Sequence, residues 1–167
     1  QRVAPRILQE LGFEAEWARG CPTWGEALRA LRLGAEGAGI LVVINGIVGN
    51  STRRKLDVGE FRGFALTDEY APLVFVNGAD FRAAQIFTLA HEIAHLWLGR
   101  SGVSNLERLQ PARGDVEQFC NAAAAELLVP EQALRAAWPE AKRAEAPFQA
   151  LALRFKVSTI VAARRAQ

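Results

Sequence analysis

The sequence is poor in several residue types that mark other classes of protein. Its 167 residues include two cysteines, two histidines, one tyrosine and no methionine. The two thiols, Cys21 and Cys120, are too few for the disulfide framework of a small secreted domain and are not at a metal-ligand spacing. The longest apolar run covers residues 40–44, whereas a membrane-spanning helix needs about 18 apolar residues. Charged residues interrupt the N-terminal segment, which argues against a secretory signal, and we expect a cytoplasmic protein without membrane contacts.

The sequence also lacks a strong excess of either charge. Lysine and arginine total 20 against 18 aspartate and glutamate residues, for a net charge of +2. Proteins that bind mainly nucleic acid usually carry a concentrated basic face. A basic cluster at residues 53–55 lies in a segment rich in glycine and small polar residues, and we expect it to be solvated. We therefore do not expect residues 1–167 to bind DNA directly, although an upstream domain could do so.

The length and composition fit one domain spanning residues 1–167. Half of the residues are apolar, and a chain of this size can bury one hydrophobic core but not two. Strand patterns dominate up to residue 78, and helical patterns follow. This order predicts an α+β fold rather than alternating α/β units. We expect a small, mostly antiparallel sheet followed by a helical C-terminal part, in which residues 141–167 form an accessory helical pair.

Apolar runs predict the strands, and turn residues separate them. Asn45-Gly46 is typical of a hairpin turn, here between the first two strands. The polar residues at 49–60 are predicted to form a loop. The predicted strands are 40–44, 47–48, 61–66 and 73–76.

The helices are predicted from a 3.6-residue apolar period and from residues that favour helix ends. Thr23 and Glu26 are typical of a capping box for the first helix, whereas residues 1–20 show no clear pattern. Asp80 is expected to cap a long helix that ends before Gly99. The later helices are predicted at 115–128 and 131–138, each ended by a nearby proline, and at 147–154 and 158–165.

The strongest chemical signal is the HExxH motif formed by His91, Glu92 and His95. Residues four apart lie on the same face of a helix, so the two imidazoles can bind one metal ion. A catalytic zinc takes three protein ligands and a water, and the glutamate beside the first histidine can act on that water as general base. The flanking residues are apolar nearly all round the helix, which predicts a buried helix whose histidines need polar partners. We predict a zinc (Zn²⁺) site, and Mn²⁺ or Fe²⁺ can compete for such ligands.

The chain has no third histidine, so a carboxylate is the expected third ligand. Glu117 and Glu126 lie on the next predicted helix, about half a turn out of phase, so at most one of them can face the metal. Glu117 shares its face with Asn121 and Ala124, whose small or neutral side chains would let the two helices approach. Asn121 could then hold a ligand side chain. This pattern favours Glu117 and leaves Glu126 as the alternative.

Peptide hydrolysis also needs a group that stabilises the oxyanion of the transition state. Tyr70, the only tyrosine, and Arg62 are the candidates, although a tyrosine near a turn often has no such role. A peptide substrate can bind by adding a strand to the edge of a sheet. The predicted strand at 73–76, just before the HExxH helix, is the candidate edge.

Several segments resemble the ImmA/IrrE metallopeptidase family. The resemblance lies in residues 87–95 around the HExxH motif, in Glu117 and Asn121 with the Leu-Leu-Val-Pro segment at 127–130, and in residues 60–77. It implies a zincin-like fold in which the sheet packs on the HExxH helix, and it implies that Glu117 is the third metal ligand. Members of this type are often fused to an N-terminal Xre-type helix-turn-helix domain. The missing methionine fits a chain that lacks such an upstream domain.

The resemblance also implies a zinc endopeptidase that cleaves helix-turn-helix transcriptional repressors, in a stress response or in the control of mobile elements. Two alternatives stay open. The zinc fold could sense or bind a partner without cleavage, or the C-terminal helices with Arg164 and Arg165 could bind DNA, although a small hairpin covering the core is the preferred interpretation of those helices. Retention of Glu92 favours the enzyme, because a purely structural metal site has no need of a general base.

Overall fold

The computed structural model describes residues 3–49, 51–99, 102–104 and 114–167, and for 102–104 it describes the backbone only. These residues form an α+β fold, which confirms the predicted class. The helices are α1 (Val3–Glu10), α2 (Trp24–Gly37), α3 (Arg82–Trp97), α4 (Asp115–Leu128), α5 (Glu131–Ala141), α6 (Pro147–Phe155) and α7 (Thr159–Arg165). The strands are β1 (Leu41–Asn45), β2 (Ile47–Val48), β3 (Ser51–Lys55), β4 (Gly63–Leu66), β5 (Leu73–Asn77) and β6 (Gly102–Ser104), and a 3-10 helix covers Trp17–Gly20.

Two helices precede the sheet, and the sequence pattern predicted only the second. α1 buries Ala4, Ile7 and Leu8, and a spacing of three and four residues is a helical signal. The helix is so short that this signal covers only one turn. α2 begins as predicted, because the Thr23 hydroxyl accepts a hydrogen bond from the Glu26 amide at 3.2 Å.

Four strands form the main sheet in the order β1-β5-β4-β6. β4 pairs with β5 and with β6 in antiparallel register, and β1 pairs with β5 in parallel. The sheet is therefore mostly antiparallel, as predicted. The prediction that the strand at 73–76 is an edge is wrong, because β5 lies between β1 and β4. In the described part of the chain, the edges of this sheet are β1 and β6.

The predicted hairpin turn at Asn45-Gly46 does not join two paired strands. The Asn45 side chain accepts a hydrogen bond from the Ile47 amide at 3.2 Å, and the chain then leaves the main sheet. β2 pairs instead with β3, which occupies part of the predicted loop at 49–60. The Asn-Gly signal describes the local turn, whereas the partner of β1 is a strand from much later in the chain.

α3 packs on β4 and β5 and also contacts α2 and α4. It begins two residues after Asp80, so the prediction that Asp80 caps it is wrong. The Asp80 carboxylate instead accepts hydrogen bonds from the Phe81 amide at 2.8 Å and from Arg62 at 3.1 Å. Gln85 organises this helix start, because its side-chain amide donates a 2.6 Å hydrogen bond to the Asp80 carbonyl.

Of the four C-terminal helices, α4 packs on α3, α5 packs on α6, and α6 packs on α7. α4 contacts both α3 and α1. α5 runs through Pro139 to Ala141, so the prediction that this proline ends the helix is wrong. Pro139 lies near the helix end, where its missing N–H removes only one hydrogen bond. α6 and α7 form the predicted pair, and the Ser158 hydroxyl caps α7 by accepting a hydrogen bond from the Val161 amide. None of the helices in the described ranges has the length and apolarity needed to cross a membrane.

Candidate metal centre

α3 is buried over most of its length, and this burial carries two histidines into the interior. Every residue from Thr88 to His95 is buried. The apolar residues of α3 pack into the core with those of α2, α4 and the sheet, so the helix has little contact with water. His91 and His95 are one turn apart on the side of α3 that meets α4.

Three side chains converge between α3 and α4. The Nε2 atoms of His91 and His95 lie 3.1 Å apart. Oε2 of Glu117 lies 3.2 Å from Nε2 of His91, and Oε1 of Glu117 lies 3.2 Å from Nε2 of His95. Two ligand atoms about 2.05 Å from a tetrahedral zinc ion lie about 3.3 Å apart, so the observed spacings fit such an ion with little movement. Among the residues that the structure describes, these three form the one group of this kind able to hold a metal ion.

The surroundings of His95 and Glu117 shift the pKa values of both groups. Burial lowers the pKa of His95, the neighbouring His91 acts in the same direction, and Glu117 opposes them. A hydrogen bond from His91 is the main cause that lowers the pKa of the Glu117 carboxyl. Neutral imidazole beside an ionised carboxylate is the protonation state in which these side chains bind a metal. The donor set and its charge state therefore both fit a divalent cation.

The structure separates the two glutamates that the sequence pattern left open. Glu117 is 36% exposed and faces the two imidazoles. Glu126 forms an ion pair with Arg165 and accepts a hydrogen bond from the Glu131 amide at 3.3 Å. Their half-turn phase difference puts them on different sides of α4. Glu126 is thus a salt-bridged helix residue, and Glu117 is the carboxylate beside the histidines.

Glu92 is fully buried next to this cluster, on the side of α3 that meets β4. The space around Gly63 shows how close the strand is. A β-carbon at Gly63 would lie 3.3 Å from Glu92 Cγ and 2.5 Å from Thr88 Cγ2. Glu92 directly follows His91 on α3, so its carboxylate lies within reach of a reactant held beside the convergent donors.

Cys120 lies one turn after Glu117 on α4 and is fully buried. Burial raises the pKa of its thiol to about 12, and the charges of Glu117 and Glu92 act in the same direction. The thiol is therefore protonated at neutral pH and behaves as a small packing group.

The two candidates for oxyanion stabilisation lie outside the buried cluster. Tyr70 is 88% exposed in the turn between β4 and β5, where its amide donates a hydrogen bond to the Asp68 side chain at 2.9 Å. Arg62 forms an ion pair with Asp80 at 3.1 Å. A role for Tyr70 or Arg62 with bound substrate stays a prediction.

Sequence reasoning did not single out Gly63 as a site residue. The sequence did carry a signal for Gly63, because a glycine inside an apolar strand often marks a close approach of another element. The sequence does not say which element approaches. Only the packing of β4 on α3 identifies Thr88 and Glu92 as the neighbours.

A protein-family model, Peptidase_M78, described as an IrrE N-terminal-like domain, matches residues 35–167. The match runs from the end of α2 to the end of the chain, so it includes His91, Glu92, His95 and Glu117. It leaves out α1 and most of α2. No curated protein gives a significant match to the chain.

Proposed function

The chain belongs to the Peptidase_M78 family, the IrrE N-terminal-like domains, and from that premise we propose that it is a zinc-dependent endopeptidase that cleaves a helix-turn-helix transcriptional repressor. The observation that carries the proposal is the convergence of His91, His95 and Glu117 at 3.1 to 3.2 Å, with Glu92 buried beside them. The resemblance to the ImmA/IrrE metallopeptidases supports the choice of a repressor as substrate and the relief of repression as the outcome.

We assign the metal ligands to His91, His95 and Glu117. Two imidazoles and one glutamate are the ligand set of a class of zinc peptidases, which supports zinc over manganese or iron. When bound, the ion supplies Lewis acidity, which polarises the scissile carbonyl and lowers the pKa of a water molecule. The remaining chemistry falls to side chains of this chain.

Glu92 is the general base of the proposed mechanism. One of its carboxylate oxygens accepts a proton from the attacking water, and the same group later donates that proton to the amine nitrogen as the C–N bond breaks. Burial of Glu92 between α3 and β4 restricts its motion and excludes bulk water. Both effects favour transfer of the proton to the leaving group rather than to solvent.

We assign binding of the substrate main chain to β6. A peptide can add a strand only at an edge of the sheet, and β5 is an interior strand. β6 is an edge strand in the described part of the chain, and it follows α3 directly in the sequence. Tyr70 or Arg62 would stabilise the oxyanion only if the bound substrate reaches the turn between β4 and β5 or the start of β4.

The first test is the substitution Glu92→Gln, measured against repressors encoded beside the gene. Glutamine keeps the size of the side chain but cannot take up the proton. We therefore expect wild-type zinc content and cleavage slower by about 10²- to 10⁴-fold, the usual contribution of a general base. Elemental analysis measures the metal, and mass spectrometry of the intact repressor measures cleavage.

Glu145→Gln is the matched control, because Glu145 is exposed between α5 and α6. We expect it to cleave at the wild-type rate. Cleavage by Glu92→Gln at that same rate would refute the mechanism. Tight binding of a repressor by the zinc-loaded wild type, with no cleavage of any member of the panel, would favour the alternative of a protein-binding regulatory module.

A further inference from the structure

β4 and α3 lie in close contact at Gly63. A β-carbon at this position would lie 2.5 Å from Thr88 Cγ2, 2.9 Å from the Phe75 carbonyl oxygen and 3.3 Å from Glu92 Cγ. The first two distances are shorter than real contacts allow. Ala65, the next residue on the same face of β4, is fully buried but accommodates its methyl group. The packing therefore leaves room for a methyl group at position 65 but not at position 63, which lies beside Thr88 and Glu92.

Glycine is unfavourable within a strand, because it gains nothing from packing and loses more conformational entropy on folding. The backbone of Gly63 has no positive φ that would call for glycine. Glycine is therefore required at position 63 because there is no room for a β-carbon. The two side chains that use the space, Thr88 and Glu92, are one turn apart on the same face of α3.

We propose that Gly63 is a positioning residue for Glu92: by having no side chain, it lets the β4 backbone lie against Glu92 and so fixes the direction of the carboxylate. The inference rests on the proposed function, in which that carboxylate transfers the proton. No atom of His91 or His95 is among the three atoms nearest to the added β-carbon, and both imidazoles contact Glu117 of α4. A side chain at position 63 should therefore displace Glu92 and leave the metal ligands in place.

The test is Gly63→Ala, assayed with a cleaved repressor. A displacement of a catalytic group by about 1 Å can cost about 10²-fold in rate. We expect kcat to fall by roughly 10- to 100-fold, with KM and zinc content within about threefold of wild type. A kcat within about twofold of wild type would overturn the proposal.

Gly34→Ala is the matched control for lost stability. A β-carbon at Gly34 would lie 2.7 Å from Phe13 Cε2 and 2.9 Å from the Leu11 carbonyl oxygen. As at Gly63, the added β-carbon meets two side-chain atoms and one backbone oxygen, here in the contact of α2 with the segment after α1. We expect Gly34→Ala to lower Tm while kcat of the folded protein stays unchanged. An equal fall in kcat for both variants would mean that general destabilisation, and not positioning, explains the result.

A second substitution tests whether the contact with Thr88 causes the loss of kcat in Gly63→Ala. Thr88→Ser removes Cγ2, the atom nearest to the added methyl group, so Gly63→Ala/Thr88→Ser should recover part of the lost kcat. Recovery should be incomplete, because the Phe75 carbonyl oxygen and Glu92 Cγ stay in place. If Gly63→Ala does not fold at the assay temperature, the double variant is compared with Thr88→Ser alone. Equal kcat values for those two would then overturn the proposal.

A measurement without substrate separates this inference from the proposed function. Glu92→Ala removes Cγ, so the fall in Tm caused by Gly63→Ala should be smaller in the Glu92→Ala background than in wild type. Equal falls in the two backgrounds would show that position 63 does not press on Glu92, whatever the protein cleaves. A smaller fall with no peptide cleaved by the zinc-loaded wild type would support the contact and refute the peptidase.

Discussion

At the scale of single residues, the two glutamates of α4 illustrate how one residue type takes two roles. Glu117 has two imidazole nitrogens 3.2 Å from its carboxylate oxygens, and hydrogen bonding to His91 lowers its pKa. Glu126 pairs with Arg165 on α7. Both carboxylates therefore have cationic or hydrogen-bonding partners, but only Glu117 has partners that are themselves metal ligands by type.

This difference predicts that substitution of Glu117 weakens zinc binding and that substitution of Glu126 does not. Glu117→Gln replaces an anionic oxygen ligand by a neutral amide, so we expect zinc affinity to fall by at least about 10²-fold, beyond the usual cost of losing an outer partner of a ligand. Competition with a chromogenic chelator measures the dissociation constant. Glu126→Gln is the control on the same helix and should bind zinc within about twofold of wild type, because Glu126 pairs with Arg165 on another side of α4 and does not face the histidines. Equal losses in the two variants would contradict the assignment of the third ligand.

Single residues also show where sequence information ends. His91 and His95 are paired by the helix itself, so their spacing could be predicted from four positions of sequence. The phase of α4 showed that only one of Glu117 and Glu126 faces the metal, but phase alone does not say which side of α4 meets α3. The small or neutral residues on the face of Glu117 favoured that face, and the contacts between α3 and α4 bring Glu117 to the histidines.

At the scale of elements, α2 carries a test of the burial that holds the fold together. Leu31 and Leu33 are two positions apart on this helix, and their exposed fractions are 0% and 54%. Leu31→Ala should lower the free energy of unfolding by about 2–5 kcal/mol, because it removes buried contacts and leaves a cavity. Leu33→Ala should change it by less than about 0.5 kcal/mol. Urea denaturation of both variants measures the difference, and similar midpoints would show that α2 does not pack as described.

In the elements that were predicted wrongly, a correct local signal did not decide the outcome. Asn45-Gly46, Asp80 and Pro139 carry correct local signals for a turn, a helix start and a proline constraint. β1 pairs with β5 instead of forming a hairpin, and the Asp80 carboxylate forms an ion pair with Arg62 instead of capping α3. Pro139 lies so near the end of α5 that the helix loses only one hydrogen bond. Local propensity is a weak prior that tertiary contacts override.

At the scale of the whole molecule, a metal at the proposed site would join α3 to α4, two elements separated in the sequence. An ion that binds only the folded chain stabilises it by mass action, by about 2.7 kcal/mol when its concentration is 100 times Kd. For a chain of this size we expect Tm to rise by roughly 5 to 10 °C when zinc is added to metal-free protein. Differential scanning calorimetry with and without a chelator measures the shift.

The Glu117→Gln variant provides the reference for this experiment. Its Tm should respond to zinc only at much higher concentrations, because the third ligand is lost. A zinc-dependent rise in Tm of the same size and at the same concentrations in both proteins would place the stabilising ion elsewhere. The result is independent of any substrate, so it tests the metal site without assuming the reaction.

The sequence by itself determined the α+β class, the buried helix α3 and the pairing of His91 with Glu92 and His95, because these follow from apolar content and from spacings within one or two turns. The sequence also favoured Glu117 over Glu126, and the packing of α4 on α3 brings Glu117 to the histidines. The tertiary structure alone decided that β5 is interior and that Gly63 lies against Glu92. Each of these depends on contacts between residues far apart in the chain. Such contacts are selected by the total burial of the folded core, which no local pattern encodes.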